Sequence, residues 1–149
     1  MKFKTIKDAM EPGQGASDLK IEVTEPKCTL GAELVGVYVA KPGEVSLPDV
    51  TLCYSNGMGI VFTQQTVTPD YAAQVDYMKG LDAQGHGSHT TYPFVTEVNG
   101  CQAMAQEHGQ NADGSRYSSY VQWCMNGTNY MVSSEGLSSA DLIKVAISI

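Results

Sequence analysis

The stretch QWCMNGTNYMV, residues 122–132, decides the fold that this sequence predicts. Its central Asn-Gly pair supplies the two positive-φ residues of a type I′ turn, the strongest short-range signal for a β-hairpin. A two-residue loop collects the large apolar groups on one face by pairing Met125 with Thr128, Trp123 with Tyr130 and Val121 with Val132. Cys124 and Asn129 share the other face. The unusual composition of the stretch therefore needs no catalytic explanation.

Two further Asn-Gly pairs, at residues 56–57 and 99–100, lie between β-rich runs and predict two more hairpins. A two-residue loop in the first places Leu52 opposite Val61 and leaves both faces of that hairpin apolar. A two-residue loop in the second pairs Val98 with Cys101, and the small residues of this hairpin favour a strand that a helix covers. Alternating apolar residues predict two earlier strands, at residues 19–23 and 35–39. We expect a mostly antiparallel sheet of about seven strands.

Two helices are predicted, the second at the C-terminus. The first begins with Thr68 as N-cap and Pro69 at the first helical position. The second begins with Ser138 as N-cap and has Asp141 three residues on, a variant of the capping box. The predicted apolar stripes are Tyr71, Val75, Met78 and Leu81 in the first helix and Leu142, Ile143, Ala146 and Ile147 in the second.

The composition is that of one globular domain, because 42% of the 149 residues are hydrophobic and 17% are charged. The formal net charge of -7 repels phosphate backbones, so we expect no nucleic-acid partner. No segment approaches the roughly 20 apolar residues of a membrane span, and the first ten residues lack the apolar core of a signal peptide. We expect an N-terminal extension or linker at residues 1–18 and a single domain at residues 19–149.

Residues 121–149, the last fifth of the chain, resemble part of a known family. Residues 121–130 follow the pattern Val-x-Trp-x-x-Asn-Gly-x-x-Tyr, and a Leu-Ser pair and a terminal helix rich in Leu and Ile come after it. This is similar to the C-terminal signature of a domain of unknown function found in cell-envelope proteins of Gram-positive bacteria. VTLCYSNGMGIVFTQQ, residues 50–65, and FVTEVNGCQAMAQEHG, residues 94–109, look like earlier hairpins of that family. The resemblance rests on hydrophobic and turn residues and covers most of the chain after Leu19.

The resemblance implies an α+β fold related to the lipoprotein carrier LolA and the envelope-stress sensor RseB. In that fold a strongly curved antiparallel sheet, a half-barrel, wraps around two helices on its concave face. The resemblance also implies an extracytoplasmic location in the cell envelope or outside it, with a signal or membrane anchor that is not part of this chain. Members of the family are regarded as sensory or regulatory domains, and they contribute no catalytic residues that this chain inherits.

The four cysteines, Cys28, Cys53, Cys101 and Cys124, show no metal-binding or redox spacing. An even number permits two disulfides. Cys53 and Cys124 can pair only if their strands are neighbours, and Cys28 and Cys101 are then the remaining pair. Four small, half-buried thiols are an equally good interpretation, because free cysteine behaves as a small hydrophobic residue.

Aromatic and methionine side chains are the candidates for a ligand-binding groove, and we select Tyr71, Met78, Tyr117 and Tyr120. Such side chains line apolar pockets, and methionine adapts to varied ligands. The alternative is that they are ordinary half-buried residues of helix and strand.

His86 and His89 stand three residues apart in a Gly-rich loop, and His108 follows in another loop, with Asp82 and Glu107 near in sequence. Imidazole and carboxylate groups bind Zn²⁺, but no third ligand has a set spacing here, so we predict no metal site. The chain also lacks a Gly-x-Ser-x-Gly elbow, a GxGxxG motif and a Walker motif. We therefore predict neither enzymatic activity nor a cofactor.

These observations favour a non-enzymatic extracytoplasmic binding or sensor domain. We expect a cleft between the sheet and its helices that receives a lipid-like group, a peptide or a segment of an envelope protein. The alternative is a structural interaction module of the cell surface without a small-molecule cleft, whose exposed sheet edges pair with a partner chain.

Overall fold

The computed structural model describes residues 1–13, 16, 19–41, 43, 47–65, 67–85 and 92–149. The elements of these residues are, in chain order, β1 (Lys2–Phe3), α1 (Ile6–Met10), β2 (Leu34–Ala40), β3 (Asp49–Tyr54), β4 (Gly59–Gln64), α2 (Tyr71–Ala83), β5 (Phe94–Val98), β6 (Cys101–Gln106), β7 (Gly109–Gln110), β8 (Arg116–Tyr117), β9 (Ser119–Met125), β10 (Thr128–Ser134) and α3 (Ser139–Ile147). The α+β class and the C-terminal helix are confirmed. Helix α1 was not predicted.

Eight of the described strands form one open antiparallel sheet in the order β1-β2-β3-β4-β10-β9-β6-β5. Strands β7 and β8 pair separately as a small hairpin directly after His108, which the sequence placed in a loop. Two groups of antiparallel strands meet where β4 pairs with β10. Helix α2 connects β4, at the centre of the sheet, to β5 at its far edge. The two halves of the sheet are therefore joined only by the long-range pairing of β4 with β10.

The first ten residues, expected as part of an extension, lie against the sheet. Strand β1 pairs with β2 at the edge, and the ammonium group of Met1 donates a 2.9 Å hydrogen bond to the Val39 carbonyl. The Thr5 hydroxyl caps α1 by accepting the Asp8 N–H, and Ala9 is fully buried. This segment therefore contributes both an edge strand and core contacts to the domain.

Residues 19–23 do not form the strand that their alternation predicted. Leu19 and Ile21 are buried in the core, but Lys20 between them has a φ of 52°. A left-handed residue interrupts the extended backbone that a ladder of strand hydrogen bonds requires. The alternation therefore records which side chains are buried, without strand pairing.

The hairpins at residues 126–127 and 99–100 have the predicted two-residue loops. Both asparagines and both glycines have positive φ, between 50° and 82°, as a type I′ turn requires. The predicted register is also confirmed, with Trp123 opposite Tyr130 in one hairpin and Val98 opposite Cys101 in the other.

The register predicted for the hairpin at residues 56–57 is wrong by one residue. Leu52 pairs with Ile60, and the Tyr54 N–H donates to the Met58 carbonyl, so the loop has three residues. Within this three-residue loop, residues 55–57, only Gly57 has a positive φ, which fits a type I turn followed by a G1 bulge. As a result one face of this hairpin is deeply buried, and the opposite face, which includes Cys53, is half-buried.

Three aromatic side chains form a row across the buried face of the sheet. The rings of Trp123 and Tyr130 stack with centroids 5.0 Å apart and planes 7° apart. Phe62, opposite Tyr130 on β4, meets that ring edge-on at 5.5 Å. The row joins the two halves of the sheet because β9, β10 and β4 are adjacent.

Helices α2 and α3 contact opposite faces of the sheet, which corrects the expectation that both lie on one concave face. Along β6, Ala103 and Ala105 belong to the core that α3 joins, whereas Met104 packs on Tyr71 of α2. Adjacent strand residues point to opposite faces, so the run is apolar on both sides because each side has its own helix. The helix that was expected to cover this strand is therefore α2.

The helix ends agree in part with the sequence. Ser138 caps α3 as predicted, but α2 begins two residues late, with Asp70 as N-cap in place of Thr68. The Asp70 carboxylate accepts the Ala73 N–H at 3.0 Å, a role for which Asp is as good as Thr. The predicted stripe of α3 is also corrected, because its inner face is completed by Val145 and Ile147 is 52% exposed.

Candidate functional site

Two adjoining open clefts lie where the β3–β4 turn approaches the loop between β10 and α3. The first has a volume of about 470 Å³ and the second about 400 Å³, and both are lined by Glu135 and Gly136. The first is lined by Asn56, Gly57, Gly59, Ser118, Ser133, Ser134, Glu135 and Gly136. The second is lined by His108, Gly109, Gln110, Arg116, Tyr117, Glu135 and Gly136. Hydroxyl and amide groups and the Glu135 carboxylate form much of the first wall, whereas the second combines charged and amide groups with the apolar ring of Tyr117.

The loop that separates the two clefts is held at its start by Ser134. This residue is 4% exposed, and its hydroxyl oxygen accepts the N–H groups of Gly136 and Leu137, each at 3.3 Å. A serine side chain that accepts backbone N–H groups two and three residues ahead fixes a tight turn. The shared wall of the clefts is therefore preformed.

The end of the same loop is held by Glu107, which follows β6. Its carboxylate accepts the Ser139 hydroxyl at 2.7 Å and the Ser139 N–H at 3.0 Å, at the first residue of α3. Ser119 donates a third hydrogen bond of 3.3 Å, and the His108 Nε2 lies 3.3 Å away. A carboxylate at the positive end of a helix is favourable, so Glu107 fixes the start of α3 to the end of β6.

Partial burial opposes ionisation of Glu107, but its partners outweigh that effect. The hydrogen bonds from the Ser139 hydroxyl and N–H, then that from Ser119, and finally the His108 charge hold the pKa of the Glu107 carboxyl below its usual value. Glu107 is therefore an anion at neutral pH.

The residues around Glu107, namely His108, Ser119 and Ser139, are of types found in hydrolase active sites. Their hydrogen bonds differ from those of a catalytic triad. In a Ser-His-Asp type of catalytic triad, the serine hydroxyl donates to the histidine imidazole, and the carboxylate orients that histidine. Here both serine hydroxyls donate to Glu107, and Ser119 and Ser139 are 0% and 6% exposed. Among the described hydrogen bonds, the contact of His108 with Ser119 comes from the histidine backbone N–H, at 2.7 Å. This geometry holds a helix end in place.

Three of the four residues selected as ligand-binding candidates come together beneath α2. Tyr71 is buried against Met104, and Met78 and Tyr120 pack at the margin of the same small cluster. The Tyr71 hydroxyl lies 3.7 Å from the Cys124 thiol, which in turn lies 3.6 Å from the Asn129 side-chain oxygen. Burial, followed by the contact with Cys124, raises the pKa of Tyr71, and burial raises the pKa of the Cys124 thiol.

The fourth candidate, Tyr117, lies elsewhere, in the wall of the second cleft. Its ring covers Gly109, where an added Cβ would lie 2.6 Å from the Tyr117 Cζ. Glycine at position 109 therefore sets how closely the aromatic ring approaches the β7 backbone.

All four cysteines are free thiols in this structure. Cys53 on β3 and Cys124 on β9 are separated by β4 and β10, which places their strands about 14 Å apart at the usual strand spacing. A disulfide requires Cα atoms within about 7 Å. The condition for pairing Cys53 with Cys124, that their strands are neighbours, is not met.

The candidate metal ligands are described only in part. His86 and His89 lie outside the described residues. Within the described ranges, no three His, Cys, Asp or Glu side chains come together as a metal site. Among the helices of those same ranges, none has the length and apolar character of a membrane span.

No family model, curated protein or solved structure gives a significant match to this chain.

Sequence reasoning missed most of the cleft-lining residues. In the run SSEGLSS, residues 133–139, the sequence predicts only the helix cap at Ser138, although Glu135 and Gly136 form the shared wall of the clefts. A polar, Gly-containing connection between a strand and a helix is a common place for binding residues. Arg116 carried no local signal, because only the pairing of β7 with β8 brings it to the same cleft.

Proposed function

We propose that this chain is a non-enzymatic binding domain that receives an extended polar segment of another polypeptide along the two clefts at Glu135 and Gly136. The observation that carries the proposal is the meeting, along one loop, of two preformed clefts whose walls hold hydroxyl, amide and charged side chains. Serine, asparagine and exposed backbone groups offer hydrogen bonds to an extended peptide, which presents one N–H and one C=O group per residue.

The lining of the clefts favours a peptide over a lipid-like group. Sites that enclose a small apolar ligand are lined mainly by hydrophobic and aromatic side chains. Tyr117 is the only aromatic residue in the described lining of the two clefts. The main core is filled by its own side chains, with Trp123 and Phe62 both 0% exposed. The clefts therefore offer fewer favourable contacts to an acyl chain than to a polar peptide segment.

The sensor role and the extracytoplasmic location remain part of the proposal. The loop that forms the shared wall leads directly into α3, whose far end contacts residues 27–28 through Ser148. If binding of a segment shifts α3, the opposite end of the helix moves as well and signals that the clefts are occupied. Fractionation of the native host, with detection of the protein in the envelope or the medium, tests the location.

The binding proposal is tested by selecting ligands from a phage-displayed peptide library on the immobilised protein, with two-dimensional NMR to map the contact. We expect enriched peptides that shift the amide signals of Ser133 and Gly136. The blocking variant is Gly136→Leu, because an added Cβ there meets no atom within 4 Å and the residue does not need a positive φ. It should fold normally and lose binding by ten-fold or more.

The matched control is Gly80→Leu, which also points into open space but lies on α2, away from the clefts. Enriched peptides that bind Gly136→Leu as well as the natural chain would overturn the proposal. A fluorescent fatty acid that binds tightly, and is not displaced by the selected peptides, would favour the lipid alternative.

The structural interaction module is the second candidate, and β5 favours it. This strand lies at an edge of the sheet, and Phe94 and Val95 on it are 43% and 42% exposed. Apolar side chains on an edge strand suit pairing with a strand of a partner chain. Partner capture that is lost with Val95→Lys and kept with Gly136→Leu would support this candidate over the cleft.

A further inference from the structure

Two opposite charges line the second cleft without pairing to each other. Arg116 on β8 and Glu135 in the loop after β10 both belong to its wall. Within the described part of the chain, the ion pairs join His108 to Glu107 and Lys144 to Asp141, and neither Arg116 nor Glu135 takes part in one. Both charges remain directed to the solvent or to a ligand.

The charges are distributed unevenly along the two clefts. Glu135 is the single charged residue in the described lining of the first cleft, whereas the second also contains Arg116 and His108. The His108 imidazole already lies against the Glu107 carboxylate, so Arg116 is the main cationic anchor. The first cleft favours a cation, and the far side of the second favours an anion.

We infer that the clefts select a segment with a basic and an acidic side chain close together, the basic group at Glu135 and the acidic group at Arg116. This inference rests on the proposed function, since it names the chemical class of the segment that the clefts bind. Guanidinium is suited to the anion site because its planar fork binds a carboxylate through two hydrogen bonds. Alternate residues of an extended peptide point to the same side, so we expect the two charges an even number of residues apart, and the test uses a spacing of two.

The size of the effect follows from the exposure of the anchors. Glu135 and Arg116 are both exposed, and exposed ion pairs stabilise a complex only modestly. We expect each pair to change the Kd about three-fold, and the two together about ten-fold. The change should shrink at 0.5 M salt because solvent-exposed charges are screened.

The test uses four capped pentapeptides in an NMR titration of the whole chain: Gly-Lys-Gly-Glu-Gly, its Lys→Gln form, its Glu→Gln form and the doubly neutral form. The doubly charged peptide should bind about ten-fold more tightly than the neutral one. Glu135→Gln should abolish the benefit of the lysine, and Arg116→Gln the benefit of the glutamate. The charged peptide has one lysine and one glutamate, so each protein variant should remove the contribution of only one peptide charge.

Matched controls separate local recognition from the net charge of -7. Glu97→Gln on β5 changes the net charge as Glu135→Gln does. Lys4→Gln is the corresponding control for Arg116→Gln. Both control positions are exposed, and neither lines a described cleft. Equal losses in the controls would overturn the inference. If the neutral peptide binds as tightly as the charged one and Gly136→Leu abolishes both, the inference is overturned while the proposed function stands. If none of the peptides binds, the inference is overturned and the library selection alone decides the proposed function.

Discussion

Glu107 accepts two hydrogen bonds from Ser139, one of 2.7 Å from its hydroxyl and one of 3.0 Å from its N–H. The two residues are 32 positions apart, and the contact fixes the N-terminus of α3 to the end of β6. The same contact sets the position of the loop that forms the shared wall of the clefts. Stability and the shape of the binding surface are therefore linked at this carboxylate.

Glu107→Gln should lower the free energy of unfolding by about 0.5–1 kcal/mol, because the neutral amide loses the favourable interaction of the charge with the helix end. Urea denaturation at pH 7 measures the difference. Glu135→Gln is the matched control, since Glu135 is exposed and outside the described ion pairs, and it should change the stability by less than about 0.5 kcal/mol. Equal effects of the two substitutions would contradict the role assigned to Glu107.

The stabilisation by Glu107 should depend on pH in the acid range. Its folded pKa lies below the ordinary value of 4.5, so the folded state favours the carboxylate more than the unfolded chain does. The stability difference between the natural chain and Glu107→Gln is expected in full above about pH 4.5. It should shrink as the pH falls through the lower, folded pKa. A difference that grows on acidification would show that the sign is wrong.

Gly57→Ala should destabilise the fold by about 1 kcal/mol, because position 57 has a φ of +80° and a side chain is strained in that region. Gly136→Ala makes the same chemical change where the φ is ordinary and the space is open, and it should be neutral. Thermal unfolding of the two variants side by side tests the left-handed conformation of Gly57. Equal stability would argue against a left-handed residue at position 57.

Tyr130→Leu should cost about 2 kcal/mol, because it removes the stack on Trp123 and leaves a void beside Phe62. Trp123 is the single tryptophan and is fully buried, so its fluorescence reports unfolding directly. Tyr77→Leu, at a position 69% exposed, is the control and should have little effect. A midpoint of denaturation that is unchanged in Tyr130→Leu would contradict the aromatic row.

Cys124 should be alkylated more slowly than Cys53 in the folded protein. Burial raises the pKa of both thiols, but Cys124 is 8% exposed beneath α2 and Cys53 is half-buried on the sheet face. Less thiolate and less access both slow the reaction. Timed iodoacetamide labelling with peptide mass spectrometry measures the order. All four cysteines should label in denaturant without reductant, and fewer would reveal a disulfide.

Val75→Asp provides the test of access to Cys124. Val75 lies on the buried face of α2 beside Tyr71, so a charged side chain at position 75 should loosen the packing of the helix on the sheet. Cys124 should then label faster, with little change at Cys53. A rate at Cys124 that does not change would place the protection outside α2.

Local chemistry made much of this fold predictable from the sequence. An Asn-Gly pair specifies a turn and a register within a few residues, and so the pairings at Trp123 and at Val98 followed directly. The same pattern failed at Asn56, because a glycine alone in the left-handed region also closes a three-residue loop. The cap of α3 at Ser138 was likewise a local property.

Tertiary structure alone decided the rest. The pairing of β4 with β10 and the packing of α2 and α3 on opposite faces depend on contacts between distant residues, which no local pattern encodes. The same holds for the clefts, since Arg116 and Glu135 line one wall only after separate hairpins fold against each other. The sequence by itself determined the turns, the antiparallel class and the C-terminal helix through short-range sterics and hydrogen bonds. The long-range burial of apolar faces decided where these elements meet, and with that the place of the candidate site.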